Sequence, residues 1–260
     1  MLEAKLDAAS QLKKIVEAIR DMLGECNIEC NETGLALQSL DKSHIVLVSL
    51  LLGSDGFSEY RCDRGVTLGL NINSLATVLR CANNDDILTL RSEDRANELI
   101  LTFEDSKADR ISEFNLRLMD IDQEYLAIPE TEYAATVVMS AAVLQRTLRD
   151  LSALSEAVTI EIDKEGIRFS AEGDLGKGST HFKPCVDMEN AENSINITLS
   201  EPVSLSFNLQ YFSNITKASS LSSTVTLQMT AGMPAQIEYK LPSGHVRYYF
   251  APKIEDDPYA

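Results

Sequence analysis

The residues that could do chemistry are few, and they do not fall into a working set. There are three histidines, His44, His181 and His245, far apart in sequence and in no metal-ligand spacing. The run Gly173-Asp-Leu-Gly176-Lys177-Gly178-Ser179 has the composition of a phosphate loop. Its first glycine is too close to the Gly-Lys pair for that pattern, and no GxGxxG or GxSxG occurs. Asp85-Asp86 and Asp256-Asp257 are adjacent carboxylates, each in a polar turn or tail where a solvated surface is expected. Five cysteines, Cys26, Cys30, Cys62, Cys81 and Cys185, are odd in number and form neither a disulfide framework nor a zinc pattern, so reduced thiols are expected. No constellation implies a reaction, cofactor or metal, which argues against an enzyme.

The chemistry that remains is charge. The chain of 260 residues carries 23 Lys+Arg against 40 Asp+Glu, a formal charge of −17. Taken whole, such a chain repels nucleic acid and anionic lipid. The basic residues nevertheless sit in particular places. Lys13, Lys14 and Arg20 outnumber Glu17 and Asp21 by one; Arg80 stands alone in Ile72 to Cys81; Arg146 and Arg149 face Asp150; Lys217 stands alone in Leu209 to Ala218. Each of these four stretches is net +1, so together they hold +4 and the remainder carries −21.

All four read as helices. Leu12, Ile15, Val16, Ile19 and Leu23 recur at helical spacing, with Ser10 as the expected N-cap. Val143, Leu144, Thr147, Leu148 and Leu151 repeat that stripe after Ser140. Each stripe is followed by a strand, a four-residue turn ending in glycine (Asn31 to Gly34; Asp163 to Gly166) and another strand. Leu12 to Leu144 and Gly34 to Gly166 are both separations of 132, so the chain is written twice. A weaker copy of the unit lies in each half: Val66 to Leu70, the helix Ile72 to Cys81 and Ile87 to Leu90, then Val203 to Phe207, the helix Leu209 to Ala218 and Thr224 to Met229. Four helices among many short strands, such as Leu99 to Phe103 and Ile237 to Tyr239, predict an α+β fold with helices gathered on one side. The apolar run Ile45 to Leu52 is too short for a membrane helix and reads as a buried strand. No secretory signal opens the chain, so an intracellular protein is expected and the Asn-x-Thr triplets at Asn31, Asn196 and Asn214 are taken as chance.

The domain reading is 1–117, an acidic extended connector 118–134, and 135–260 ending in a short acidic tail. The connector also carries Met119, Ile121, Tyr125, Leu126 and Ile128, more apolar groups than a solvated linker needs.

One account of the sorted charge is that helix surfaces favour lysine and arginine. The sharper account is a helical face that meets phosphates without reading bases. Neighbouring helices pack at about 8–10 Å. A ring of four would have a circumference of about 36 Å and essentially no hole. Twelve helices, three copies of this chain, leave an opening of about 21–28 Å once a helix width of about 10 Å is removed. That admits a duplex, with its grooves each about 8 Å deep.

Leu37-Gln38-Ser39-Leu40-Asp41-Lys42-Ser43-His44, Tyr60-Arg61-Cys62-Asp63-Arg64, Leu118 to Asp122, Leu221 to Leu227 and Tyr248 to Asp256 then identify a resemblance. Over essentially its whole length the chain resembles the proliferating cell nuclear antigen family, the eukaryotic sliding clamps of DNA replication. The resemblance implies a DNA-clamp fold, two similar domains per subunit in a homotrimeric ring, no catalytic activity, a nuclear location, and service to polymerases, the clamp loader and repair proteins. A subunit of a heterotrimeric damage-checkpoint clamp is the neighbouring alternative.

The resemblance places Lys13, Lys14, Arg20, Arg80, Arg146, Arg149 and Lys217 toward DNA, with Thr77 where many members have lysine. Partner proteins with a short clamp-binding motif are expected at Leu40, His44, Ile45, Leu126, Ile128, Pro234, Tyr249, Ala251, Pro252 and Ile254. On sequence alone Leu40, Ile45 and Ile128 fit ordinary core, and His44 a structural histidine. Subunit edges are implied at Asp109, Arg110, Glu113, Phe114 and Arg117, and at Leu175, Lys177, Gly178, Thr180 and Lys183. Lys164 matches a lysine that accepts ubiquitin or its relatives and recruits damage-tolerant polymerases. Ala127 stands where some fungal members carry a second modified lysine, so that site is not expected.

Overall fold

The computed structural model describes residues 1–93, 97–105, 107, 109–122, 126–128, 131–187 and 194–253. The chain divides into two compact units, Met1–Ala127 with Leu241–Val246, and Ile128–Lys240 with Arg247–Ala260.

The first unit runs β1 (Leu2–Leu6), α1 (Ala9–Ile19), β2 (Glu25–Asn31), β3 (Gly34–Leu40), β4 (Val46–Gly53), β5 (Glu59–Cys62), β6 (Val66–Asn71), α2 (Ile72–Leu79), β7 (Ile87–Ser92), β8 (Glu98–Asp105) and β9 (Arg110–Arg117). Five strands pair in the order β5-β1-β7-β8-β9, and four in the order β4-β3-β2-β6. All these pairings are antiparallel. Alternation decides which face is buried: Leu2, Ala4 and Leu6 point inward from β1, and Leu35 and Leu37 from β3. In α1 the 3.6 period collects Leu12, Ile15, Val16 and Ile19 on one buried stripe, and α1 packs beside α2.

The second unit repeats the plan with β10 (Ala135–Ser140), α3 (Ala141–Ser152), β11 (Ala157–Ile162), β12 (Ile167–Gly173), β13 (Gly176–Phe182), β14 (Asn196–Leu199), β15 (Val203–Asn208), α4 (Leu209–Ile215), β16 (Thr224–Met229), β17 (Ala235–Leu241) and β18 (Gly244–Phe250). Its strand orders are β13-β12-β11-β15 and β14-β10-β16-β17-β18. Helices α3 and α4 pack side by side. The turn Leu241–Val246 is counted with the first unit, where Ser243 O accepts from Gly53 N at 2.7 Å. The α+β class with four α-helices and antiparallel sheets is as expected from the sequence.

A shared capping device ties each helix pair together. The first N–H of α1 donates to Asp86 O, beyond α2, and the first N–H of α2 donates to Gly24 O, beyond α1. In the second unit Ala141 N donates to Ser223 O and Leu209 N to Glu156 O. A helix leaves its first N–H groups without intrahelical partners, and here a backbone carbonyl of the other helix's exit loop takes one of them. Gly24 and Glu156 stand 132 residues apart, like the starts of α1 and α3, and Asp86 and Ser223 stand 137 apart, like the starts of α2 and α4, which makes the duplication visible at the level of single hydrogen bonds.

That device corrects the expected N-cap. Ser10 is the second residue of α1, Ala8 occupies the cap without a side-chain bond, and Ser10 N donates to Asn84 O at 3.0 Å. The second copy of the helix in each half is also shorter than its stripe. α2 ends at Leu79 with Arg80 as C-cap, and α4 ends at Ile215 before a 3-10 turn, Thr216–Ser220. The run Ile45 to Leu52 is a strand buried on one face only, with Val46, Val48, Leu50 and Leu52 inward and Leu51 exposed. Asp86 overturns the surface reading: it is 2% exposed. Its carboxylate accepts from Asn83 N at 2.8 Å, Asn83 Nδ2 at 3.3 Å and Arg110 Nη2 at 3.2 Å. None of the five cysteines is in a disulfide, and Cys26 and Cys30 are buried. Asp256-Asp257, and Glu124, Tyr125, Pro129 and Glu130 of the connector, lie outside the described residues.

Candidate nucleic-acid and partner interfaces

The basic residues lie on or beside the polar faces of the helices, because the opposite stripe of each helix fills the core. On α3, burial of Leu144, Thr147, Leu148 and Leu151 leaves Arg146 and Arg149 outward. Both reach Asp150, Arg146 Nε at 3.7 Å and Arg149 Nε at 3.6 Å. Such solvated pairs hold their cations weakly, and another anion can displace them. Arg149 and Lys217 line one groove of about 300 Å³ between α3 and α4, with Gln145, Ser152, Ser213 and Thr216. Two cations among hydroxyl and amide groups suit a phosphate and carry no base code.

The first unit uses its cations differently. Lys14 and Arg80 are exposed. Lys13 Nζ donates to Ala82 O at 2.5 Å and to Asn84 Oδ1 at 3.3 Å. Arg20 is held by Glu17 at 2.9 Å and Asp21 at 3.8 Å. Thr77 is exposed and donates its hydroxyl to Asn73 O at 2.8 Å.

Leu40 and His44 line a groove of about 630 Å³ with Asp41, Leu47 and Leu126 among its walls. Asp41 builds the loop. Its buried carboxylate accepts from Ser43 N at 2.9 Å, Ile45 N at 2.7 Å and Val46 N at 2.7 Å, and its own N–H donates to Val46 O. His44 adopts φ +57°, a left-handed conformation uncommon for a side-chain-bearing residue. Leu40, Ile45 and Ile128 are only half-buried, so none is ordinary core. Gln38 and Asp41 also belong to this site, although the sequence alone gives neither a role. A polar residue opening a loop is a turn signal for Asp41, whereas nothing local marks Gln38.

In the second unit Tyr249 and Pro252 are half-buried while Pro234 and Ala251 are exposed. Arg247 Nε meets Glu238 Oε2 at 2.5 Å. Burial, with the neighbouring Tyr249, pushes the Tyr133 phenol above its ordinary value. Lys253 N donates to Ser206 O at 2.7 Å, laying the chain after Phe250 along β15. Ile254 lies outside the described residues.

β9 and β13 are edge strands of their sheets. Asp109, with φ +48°, precedes β9, whose Arg110, Glu113 and Arg117 are exposed and whose Phe114 is half-buried 5.6 Å from Phe103. Beside β13, Leu175 is 82% exposed; Ile111 on β9 is 71% exposed. Lys177 and Lys183 are exposed, and Gly178 and Thr180 half-buried. A Cβ on Gly178 would stand 2.7 Å from Leu154 Cδ1, the movable end of a side chain. Lys164 is exposed on a turn fixed by Asp163, whose carboxylate accepts from Glu165 N and Gly166 N. Ala127 is exposed. Among the described residues no three His, Cys, Asp or Glu side chains gather as a metal site, and no helix is long and apolar enough to cross a membrane.

Residues 1–125 match the family model of the proliferating cell nuclear antigen N-terminal domain, and residues 127–254 that of its C-terminal domain. A proliferating cell nuclear antigen from Chaetomium thermophilum is 53% identical over 258 residues, covering 99% of this chain and the whole of the relative. Both matches favour the replicative clamp over the checkpoint alternative. With two successive clamp domains spanning it, the chain belongs to the proliferating cell nuclear antigen family, the non-catalytic DNA sliding clamps of replication.

Proposed function

We propose that three copies of this chain close into a ring around duplex DNA, with the four helices of each copy toward the duplex. Lys14, Arg80, Arg146, Arg149 and Lys217 supply mobile, sequence-independent phosphate contacts, with Lys13 and Arg20 beside them. The carrying observation is the pairing of Arg149 with Lys217 in one groove of a strongly anionic chain. Cations of this kind bind the backbone without fixing a register, so the ring is free to slide. Antiparallel pairing of β9 with β13 of the next copy would cover Ile111 and Leu175, two edges otherwise open to aggregation.

Polymerases, the clamp loader and repair proteins dock by a short motif through Leu40, His44, Ile45, Leu126, Ile128, Pro234, Tyr249, Ala251, Pro252 and Ile254. Lys164 accepts ubiquitin or its relatives for translesion synthesis, and the protein works in the nucleus.

Mass measurement of the native assembly, then retention on closed circular against linear DNA after loading, tests the reading. A trimer held on circles and lost from linear ends is expected. Replacing Arg80, Arg149 and Lys217 by alanine should leave the trimer and flatten the salt dependence of DNA residence. A monomer, or residence on circles unchanged by that triple variant, overturns it.

A further inference from the structure

The segment leaving β9 is fastened to the first unit at three successive points. Met119 N donates to Gly69 O at 2.8 Å, Asn27 Nδ2 donates to Ile121 O at 3.0 Å, and Gln38 takes hold of Leu126. The last contact has two bonds. Gln38 Nε2 donates to Leu126 O at 2.7 Å, and Leu126 N donates to Gln38 Oε1 at 3.2 Å. A primary amide holds one of its N–H groups beside its C=O in a plane, as a strand residue presents its own N–H and C=O to the residue opposite. Gln38 thereby copies one rung of an antiparallel ladder with a side chain. Residues 126–128 belong to no strand or helix, so this rung replaces the order that regular structure would give. The Leu126 side chain, 37% exposed, is left at the groove that also holds Leu40 and His44.

We propose that Gln38 is a positioning residue for partner capture: it pre-orders Leu126 so that an incoming apolar segment meets a fixed rim. Fixing a segment before binding removes an entropic cost that association would otherwise carry. Asp41, three residues along, fixes the other wall through its three N–H bonds, so both walls hang from one strand end. The proposal rests on the reading that partners dock at Leu126.

The test compares the unaltered full-length protein with Gln38→Ala, using a synthetic peptide carrying the family's clamp-binding motif and calorimetry. Hydrogen exchange at the Leu126 amide provides a second readout. The substitution should weaken peptide binding by about 5- to 10-fold, the equivalent of one hydrogen-bonded pair. Exchange at Leu126 should quicken while the amides of β3 keep their protection. Gln38→Asn, too short to span the same gap, should behave like the alanine variant. Equal peptide affinity in parent and variant, or unchanged exchange at Leu126, overturns the positioning role and leaves the docking site standing. No binding by the unaltered protein overturns the docking reading and this proposal with it.

Discussion

Lys13 and Gln145 stand 132 residues apart at equivalent places in the two halves, and each ties its helix to the exit of the neighbouring one. Lys13 Nζ reaches Ala82 O at 2.5 Å, just past α2; Gln145 Nε2 reaches Thr216 O at 3.1 Å, just past α4. Both acceptors are backbone carbonyls of the exit segments, and an ammonium and an amide serve equally as donors to them. The equivalence shows what Lys13 does in the fold: its charge is engaged with backbone, whereas Lys14 on the next position is exposed.

Lys13→Ala should therefore lower stability by about 1–2 kcal/mol, the worth of a charged hydrogen bond. Lys13→Gln, which copies the other half, should recover at least half of that. Urea unfolding midpoints at constant slope would measure both. A glutamine variant as weak as the alanine variant would refute the shared role.

Asp86 yields a second stability prediction. Its carboxylate accepts three hydrogen bonds at 2% exposure, and its carbonyl accepts the first N–H of α1. Asp86→Ala strands those side-chain-directed donors and should cost about 2–4 kcal/mol. Asp86→Asn keeps one acceptor oxygen and should cost less. Because Arg110 is the partner on β9, native mass measurement of Asp86→Asn should also show weaker association of subunits. Unfolding midpoints equal to the parent would show that the buried contacts contribute nothing net.

How far these features could be read without coordinates differs by their physical origin. The helices, the hairpin turns at Gly34 and Gly166 and the strand Thr224–Met229 follow from period and turn chemistry, both local properties. Ser10 misleads because α1 begins under a distant carbonyl at Asp86, and Asp86 misleads because a polar-looking turn is buried by Arg110 and Asn83. Gln38 was invisible for the same reason: its partner lies 88 residues away. Among the site residues, Arg146 and Arg149 were legible from the helical stripe opposite them. Leu40, Ile45 and Ile128 fit core by composition, but Leu40 is the last residue of β3, Ile45 lies in the loop before β4 and Ile128 belongs to no strand, and all three stay half-buried.

Alkaline pH should weaken the fold through Cys26 and Cys30. Burial pushes both thiols up to about 12, and for Cys30 the neighbouring Cys62 and Glu29 add to it. The unfolded chain releases these protons near the ordinary thiol value of about 8.5. Above that pH the folded state binds more protons than the unfolded one, so stability is full below about 8.5 and falls as pH rises toward 12. Each thiol contributes a slope of at most about 1.4 kcal/mol per pH unit. The buried phenols of Tyr239 and Tyr248, also raised by burial, join only above about 10. Unfolding midpoints between about pH 8.5 and 10 isolate the thiols, and a Cys26→Ala, Cys30→Ala variant should show a flatter line there. A parent protein with a level profile across that window would rule out the linkage.

Gly69 decides whether the segment after β9 can be laid down at all. It pairs with Met119 in an isolated antiparallel bridge, and a Cβ built on it would stand 2.1 Å from Met119 O. The atom in the way is backbone, so no side-chain rotation relieves the clash. Gly69→Ala must either push Met119 off β6 or displace β6 from β2, where Gly69 faces Asn27. The first is the smaller disturbance, since Asn27 and Gln38 still hold Ile121 and Leu126 farther along. The expected variant is folded, less stable by about 1–2 kcal/mol, and cut faster by proteases between Leu118 and Asp122. Because Leu126 keeps its own amide bracket, its hydrogen exchange should change little. Faster exchange at Leu126 equal to that of Gln38→Ala would mean that the three fastenings act as one cooperative strip. Unchanged proteolysis would mean that β6 yields instead, and exchange across the β2–β6 ladder would then carry the loss.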